Sequence, residues 1–149
     1  MVAPGGKVRV RVVALVVRDN AVLVIEQTVG NETWNCFPGG TLEHGETIDV
    51  CLTRELREEL SLEVQLGPLV ACGTYEEDNI TSLELYFQCS DAGDEPVINE
   101  THINFARYIP IKDLAETRVY PLELAEKLEL LLMTPEGRDR GGVYFGRFC

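Results

Sequence analysis

Val8–Val17, VRVRVVALVV, opens with strict alternation of apolar and charged positions and then becomes continuously apolar. That pattern predicts a strand whose first half has one wet face and whose second half is buried on both. After Arg18-Asp19-Asn20, the run AVLVIEQ continues as a second strand, so the pair reads as a hairpin. VGNE then reads as a loop, and WNCFPGG as a short extended segment ended by Pro38-Gly39-Gly40. In Gly45–Leu62, GETIDVCLTRELREELSL, apolar residues recur every fourth position, which predicts a helix. Thr47 is its expected N-cap, and Asp49 suits the positive end of the helix dipole. EVQLGPLVACGTYE and SLELYFQCS predict two strands joined by the turn EEDNIT, and DAGDEPVIN (91–99) is a polar loop. INFARYIPI predicts a strand, KDLAE a helical turn, and YPLELAEKLELLLM an amphipathic helix started by Pro121. The tail 134–149 reads as an extended or mobile end, with Tyr144 and Phe145 able to dock on the body.

The order β-β-β-α-β-β-β-α suits neither a TIM barrel nor a doubly wound parallel sheet. It predicts an α/β (α+β) chain, a mixed sheet with helices on its faces, and one domain over 1–149.

Charge narrows the function. A net charge of −12 argues against a nucleic-acid surface, which needs clustered Lys and Arg. It leaves room for a small phosphorylated ligand held through divalent cations. No apolar run approaches the roughly 20 residues that span a bilayer, and MVAPGGKVRVRVV lacks signal-peptide features. A cytoplasmic protein without a membrane partner is expected. Cys36, Cys51, Cys72, Cys89 and Cys149 contain no C-x-x-C pair and read as free thiols, mostly packed as small hydrophobes.

The acidic helix carries the chemistry. With Leu52 at zero on a helical wheel, Ile48, Leu52, Leu56 and Leu60 fall between about −40° and +80°, the core stripe. Glu59 falls at about −20°, inside that stripe, and Glu55 at about −60°, on its edge. Glu58 lies at about −120°, with Arg54 as its i−4 neighbour. A solvated charged face explains Arg54 with Glu58 but not Glu59 among leucines. A carboxylate against a core costs several kcal/mol unless a cation or hydrogen bonds compensate. Converging carboxylates are economically neutralised by a divalent metal. Upstream, FPGGTLEHGE adds glycines that allow close backbone approach to an ion or phosphate.

At this point the chain resembles the Nudix hydrolases. The family motif G-x5-E-x7-R-E-U-x-E-E-x-G-U, with U aliphatic, runs from Gly40 through Glu46, Arg54, Glu55, Leu56, Glu58 and Glu59 to Leu62. Only Ser61 departs, standing where the family has glycine. That position ends the helix in a left-handed conformation, where serine costs about 1 kcal/mol or less. Flanking W-x-x-x-P-G-G and ARYIPIKDL are similar to family patterns, and the looser likeness covers about Val8 to Met133.

The resemblance implies an α/β/α sandwich that hydrolyses a nucleoside diphosphate linked to another moiety, with Mg²⁺ or Mn²⁺. It makes Glu58 and Glu59 metal ligands, Glu55 a further ligand or the base that deprotonates water, and Gly40 a carbonyl donor. Arg54 orients the carboxylates, while Glu46 and Gly45 support the loop. Glu100 is the candidate for a distal acid that many members use, with an ordinary loop glutamate as the alternative. A homodimer is compatible with family habit.

Other residues carry weaker signals. His44 and His102 read as solvent-facing. Trp34, Phe37 and Tyr75 can stack on a base, although aromatics near strands more often fill a core. The substrate-binding residues stay unassigned. The proline of the ADP-ribose branch, the tyrosine of the diadenosine branch and the coenzyme A motif are not found, leaving a nucleoside triphosphate or a nucleoside diphosphate derivative. Two other classes compete: a nucleotide sensor that does not cleave, and an isoprenoid isomerase. Retained motif glutamates count against the first, and the absence of a suitable cysteine context against the second.

Overall fold

The alternation in the first strand decides the architecture. In the computed structural model, which describes residues 5–91, 93–134, 137 and 141–149, β1 (Lys7–Arg18) sends successive side chains to opposite faces. Val13 and Leu15 enter one apolar cluster, while Val12, Ala14 and Val16 enter another. β2 (Ala21–Val29) divides likewise, Val22 and Val24 against Leu23 and Ile25. Each face therefore needs a helical cover.

β3 (Glu32–Cys36) and β4 (Gly39–Thr41) lead into α1 (Ile48–Leu60), which buries Cys51, Leu52, Leu56 and Leu60 in the second cluster. β5 (Val64–Glu77), β6 (Ile80–Asp91) and β7 (Ile103–Pro110) follow. A 3-10 turn (Ile111–Asp113) then runs into α2 (Leu114–Thr117), β8 (Val119–Tyr120), α3 (Leu122–Met133) and β9 (Val143–Arg147). α3 buries Leu124, Ala125, Leu128, Leu131 and Leu132 in the first cluster. The result is the expected α/β/α sandwich around a mixed sheet.

Strand order is β8-β3-β2-β1-β6-β5-β9, with β4 added on β1 and β7 on β2. β1 lies parallel to β6 from Lys7↔Ile80 to Val16↔Cys89. Its ladder with β2 is confined to Val17↔Val22 and Arg18↔Ala21. Beyond that hairpin end the two strands part, β1 taking β4 (Val12↔Gly40) and β2 taking β7. The sheet curls, and an opening forms between its halves.

Both long hairpins turn on an Asp-Asn pair. Asp19 (φ 54) and Asp78 (φ 51) adopt left-handed backbone, a conformation in which Asp is tolerated because its side chain can bond locally. The stretch 29–32, expected as a loop, is instead a tight turn, with Gly30 at φ 62 and β3 starting at Glu32. Gly39 and Gly40 do not end the extended segment. They form β4 against Val12 and Val13 of β1.

The end of the chain is extended, as expected, but its described part is docked. β9 runs parallel to β5, with Ala71↔Val143 and Cys72↔Tyr144 paired. The Phe148 N–H donates to the Thr74 carbonyl at 2.7 Å, and its ring stands edge-on to Tyr86 at 6.0 Å. Phe145 packs against the same cluster, whereas Tyr144 stays 69% exposed. The expectation of mobility for 135–136 and 138–140 lies outside the described residues. Because Phe148 is only 3% exposed, Phe148→Ala should cost about 3–5 kcal/mol of unfolding free energy in urea titration. A cost below about 1 kcal/mol would mean that the terminus is not part of the core.

Candidate active site

α1 begins where expected, with a different cap. Thr47 is extended at the N-cap position, but its hydroxyl donates to Asp49 Oδ1 at 2.6 Å and caps no amide. The Asp49 carboxyl is held below its usual range by that hydroxyl and by the amides of Asp49 and Val50.

One turn further on, Arg54 gathers the motif's carboxylates. It meets Glu46 with both ends of its fork, Nε to Oε2 at 3.1 Å and Nη2 to Oε1 at 2.8 Å. Nη1 reaches Glu55 Oε1 at 3.0 Å and Glu58 Oε2 at 3.3 Å. Arg54, with the Glu43 amide as second donor (2.8 Å), holds the Glu46 carboxyl down at about 2. Gly45, at φ 85, turns the loop so that Glu46 faces the helix, a conformation that favours glycine. Arg54 and Glu46 thus tie the loop to α1.

Gly40 and Glu59 complete the acidic side. A Cβ on Gly40 would collide with the Glu55 carboxylate, so only glycine lets that carboxylate lie against β4. Glu59, inside the leucine stripe, has its Oε2 buried without a hydrogen-bond partner. Burial, then the neighbouring Glu55, push its carboxyl up to about 8; Arg11 opposes this, and Glu100 adds to it. Glu58 is different: its side chain is 55% exposed and turned toward Arg54.

Glu100 is brought to this cluster by backbone. Val97 N–H donates to the Leu60 carbonyl at 2.8 Å and Asn99 N–H to the Glu59 carbonyl at 2.9 Å. The polar loop therefore straps the end of α1 and satisfies carbonyls that the helix leaves open. Ser61 is left-handed, as expected (φ 55, ψ 32), and its N–H bonds Arg57 O. Its hydroxyl also accepts from Asn99 Nδ2 at 2.7 Å.

On the side of the sheet covered by α3, a cleft of about 540 Å³ opens, a volume that suits a mononucleotide. Trp34, Tyr75, Tyr86 and Tyr120 line it, and Arg9, Arg11 and Glu84 reach it from β1 and β6. All three aromatics singled out in the sequence line this cleft, although Phe37 is 3% exposed and stacks edge-on to Tyr86 at 6.4 Å. His44 is exposed in the motif loop. His102 is half-buried, and its carbonyl accepts from Thr28 N–H. Sequence reasoning missed Arg11, Glu84 and Phe148. The alternation V-R-V-R-V was the available signal for Arg9 and Arg11, since it places both arginines on one face. The cysteines are free, and burial pushes Cys36 and Cys51 up to about 12.

Among the described residues, no three His, Cys, Asp or Glu side chains stand in a ligating arrangement. The donor set nevertheless fits a hard divalent cation. It offers an orphaned buried carboxylate oxygen on Glu59, Glu55 beside it, and a backbone that approaches closely at Gly40.

The described site thus comprises a carboxylate-bearing helix under a glycine loop and an aromatic cleft on the other face of the sheet. The NUDIX domain family model matches residues 7–129, and the chain belongs to that family. Two curated relatives are similar. A MutT-like protein of Streptomyces ambofaciens is 33% identical over 56% of this chain, which spans 53% of that relative's length. The nucleoside triphosphatase NudI of Escherichia fergusonii is 36% identical over 63% of this chain and 72% of its own. Among solved structures, the E. coli ORF135 protein superposes with a TM-score of 0.74 at 20% identity, covering 89% of this chain and 97% of its own. An ADP-ribose pyrophosphatase of Streptococcus suis does so at 0.65 and 20%, covering 95% and 98%. Both structural likenesses concern the fold. No described helix is long and apolar enough to cross a membrane.

Two stability predictions follow from this geometry. Glu59 holds its proton in the folded state up to about pH 8, against 4.5 ordinarily. Its contribution is full below the lower value and is lost as pH rises through the higher one. Melting temperature in chelator should fall between about pH 4.5 and about pH 8, and Glu59→Gln should flatten that fall. A slope unchanged in the variant would place the titration elsewhere. Ser61→Gly relieves left-handed strain, but it loses the Asn99 bond and loosens the unfolded chain, so stability should shift by about 0.5 kcal/mol or less. A larger loss in denaturant titration would make the Ser61–Asn99 bond a structural tie of the loop.

Proposed function

We propose that this protein hydrolyses a nucleoside triphosphate, or a nucleoside diphosphate joined to another moiety, by divalent-metal-dependent attack of water on phosphorus. The observation that carries this reading is the Glu59 carboxyl oxygen, buried without a partner beside Glu55, which itself rests against Gly40, with a cleft of about 540 Å³ on the other face of the sheet reached through Arg11. The relatives described as MutT-like and as a nucleoside triphosphatase favour the triphosphate. The setting is the cytoplasm, with a small nucleotide as the only partner required.

Glu55, Glu58 and Glu59, with the Gly40 carbonyl, would hold Mg²⁺ or Mn²⁺. A cation held by these residues would supply charge neutralisation of the phosphoanhydride and acidification of water. The chain's own residues do the remainder. Glu58 swings from Arg54 toward the ligand set, a motion its exposure permits. Arg54 keeps Glu55 aimed and ties the loop through Glu46, so the acid cluster is oriented before substrate arrives. Glu55 or Glu100 accepts the proton of the attacking water, both lying near Glu59. The aromatic cleft holds the nucleoside and excludes solvent from one side of the reacting group.

A noncatalytic nucleotide sensor on the same fold is the competing reading. Product analysis over a panel separates the two: phosphate or pyrophosphate release from nucleoside triphosphates, and nucleotide release from nucleoside diphosphate sugars and dinucleotides. Activity is expected with Mg²⁺ or Mn²⁺ and is lost in chelator. Glu58→Gln and Glu59→Gln should each lower turnover by about 10²-fold or more while both variants stay folded. Binding without hydrolysis across the panel would leave the sensor, and full turnover in chelator would overturn the metal role.

A further inference from the structure

We propose that Arg11, outside the motif, is a substrate-binding residue that grips a non-bridging oxygen of the phosphate nearest the nucleoside. The inference deepens the proposed function and rests on it for the identity of the ligand.

Arg11 occupies the junction of the two halves of the site. Its backbone pairs with Thr41 of β4 on one side and Glu84 of β6 on the other. It therefore lies next to Gly40, against which Glu55 rests, and its side chain lines the aromatic cleft. Its charge acts on Glu59 across the junction and on Cys36 and Tyr86 within the cleft. A nucleotide with its base among the aromatics and its phosphoanhydride at Glu59 must pass this guanidinium.

Its hydrogen bonding points the same way. Arg9, two residues earlier on the same face, is satisfied by Ser82 Oγ at 2.6 Å. Arg11 Nε is buried without a partner, although Glu84 is its cross-strand neighbour. Glu84 accepts instead from the Tyr86 hydroxyl at 2.9 Å. Glu59 Oε2 is also without a partner, so these two unsatisfied atoms do not bond each other. An arginine placed only to neutralise acids would spend its donors on them. A buried N–H left open is costly unless a ligand fills it, and a guanidinium fork matches phosphoryl oxygens in geometry and charge.

The test uses the whole protein and two variants, Arg11→Gln and Arg11→Lys. On the best substrate of the panel, Arg11→Gln should raise KM about tenfold or more, the effect expected when a charge-assisted hydrogen bond is removed. Arg11→Lys, which keeps charge but loses the fork, should fall between. Trp34 is the single tryptophan and lines the cleft, so its fluorescence gives a second readout. Nucleoside monophosphates and the corresponding nucleosides are titrated with and without Mg²⁺. Wild type should prefer the monophosphate, and that preference should shrink about tenfold in Arg11→Gln while nucleoside binding stays the same. A lowered melting temperature with KM and the monophosphate preference unchanged would make Arg11 a structural counter-ion and overturn the proposal. If Arg11→Gln does not fold, Arg11→Lys decides, a wild-type KM and preference counting against. If wild type hydrolyses nothing on the panel, the proposed function falls. The fluorescence comparison then decides for Arg11 alone, and a wild type that does not distinguish monophosphate from nucleoside overturns it.

Discussion

The Arg54 guanidinium is the interaction on which the site depends. Its fork closes on Glu46 across the glycine loop, and its remaining edge reaches Glu55 and Glu58 along the helix. Without that cation, acidic side chains would repel one another across a short distance, and the loop would have no anchor on α1. Each contact is partly exposed and modest by itself. Together they make a network in which one rigid, permanently charged group sets the positions of three carboxylates. Glu59 lies outside this network and on the buried side of the helix. The motif thus separates into an outer set paired with Arg54 and one buried carboxyl, Glu59, whose Oε2 has no hydrogen-bond partner.

That separation depends on how the sheet divides. β1 is shared: it bonds β6 along most of its length, holds β4 and the motif loop on its other edge, and meets β2 only at the hairpin end. The same strand contributes Val12 to the core beneath α1 and Arg11 to the cleft on the opposite side. A mixed, curled sheet lets one strand serve the acid cluster and the aromatic cleft together, where two separately packed sheets would hold them apart. The terminal strand supports the arrangement from the far edge, with Phe148 filling the space that Gly73 leaves open.

The strap from Val97 to Asn99 gives Ser61 its context. The helix ends in a left-handed residue in either case, since the N–H of Ser61 must reach back to Arg57. Serine bears the strain of that conformation and supplies an acceptor for Asn99, which glycine could not. A departure from the family pattern is therefore accommodated by a contact about forty residues downstream, on the loop that carries Glu100.

Much was legible in the chain by itself, because it rests on local periodicity. Alternation in β1, the four-residue apolar spacing of α1, the Asp-Asn turns and the left-handed Ser61 follow from backbone geometry that neighbours in sequence impose. The misplacement of Glu59 among leucines was visible for the same reason. Short β4, two-residue β8 and the docking of β9 were not, since such segments have no period and are strands only because a partner edge lies alongside. The cleft was hidden too. Its walls come from Arg11, Trp34, Glu84, Tyr120 and Phe148, and only the tertiary structure brings residues so far apart in sequence onto one surface.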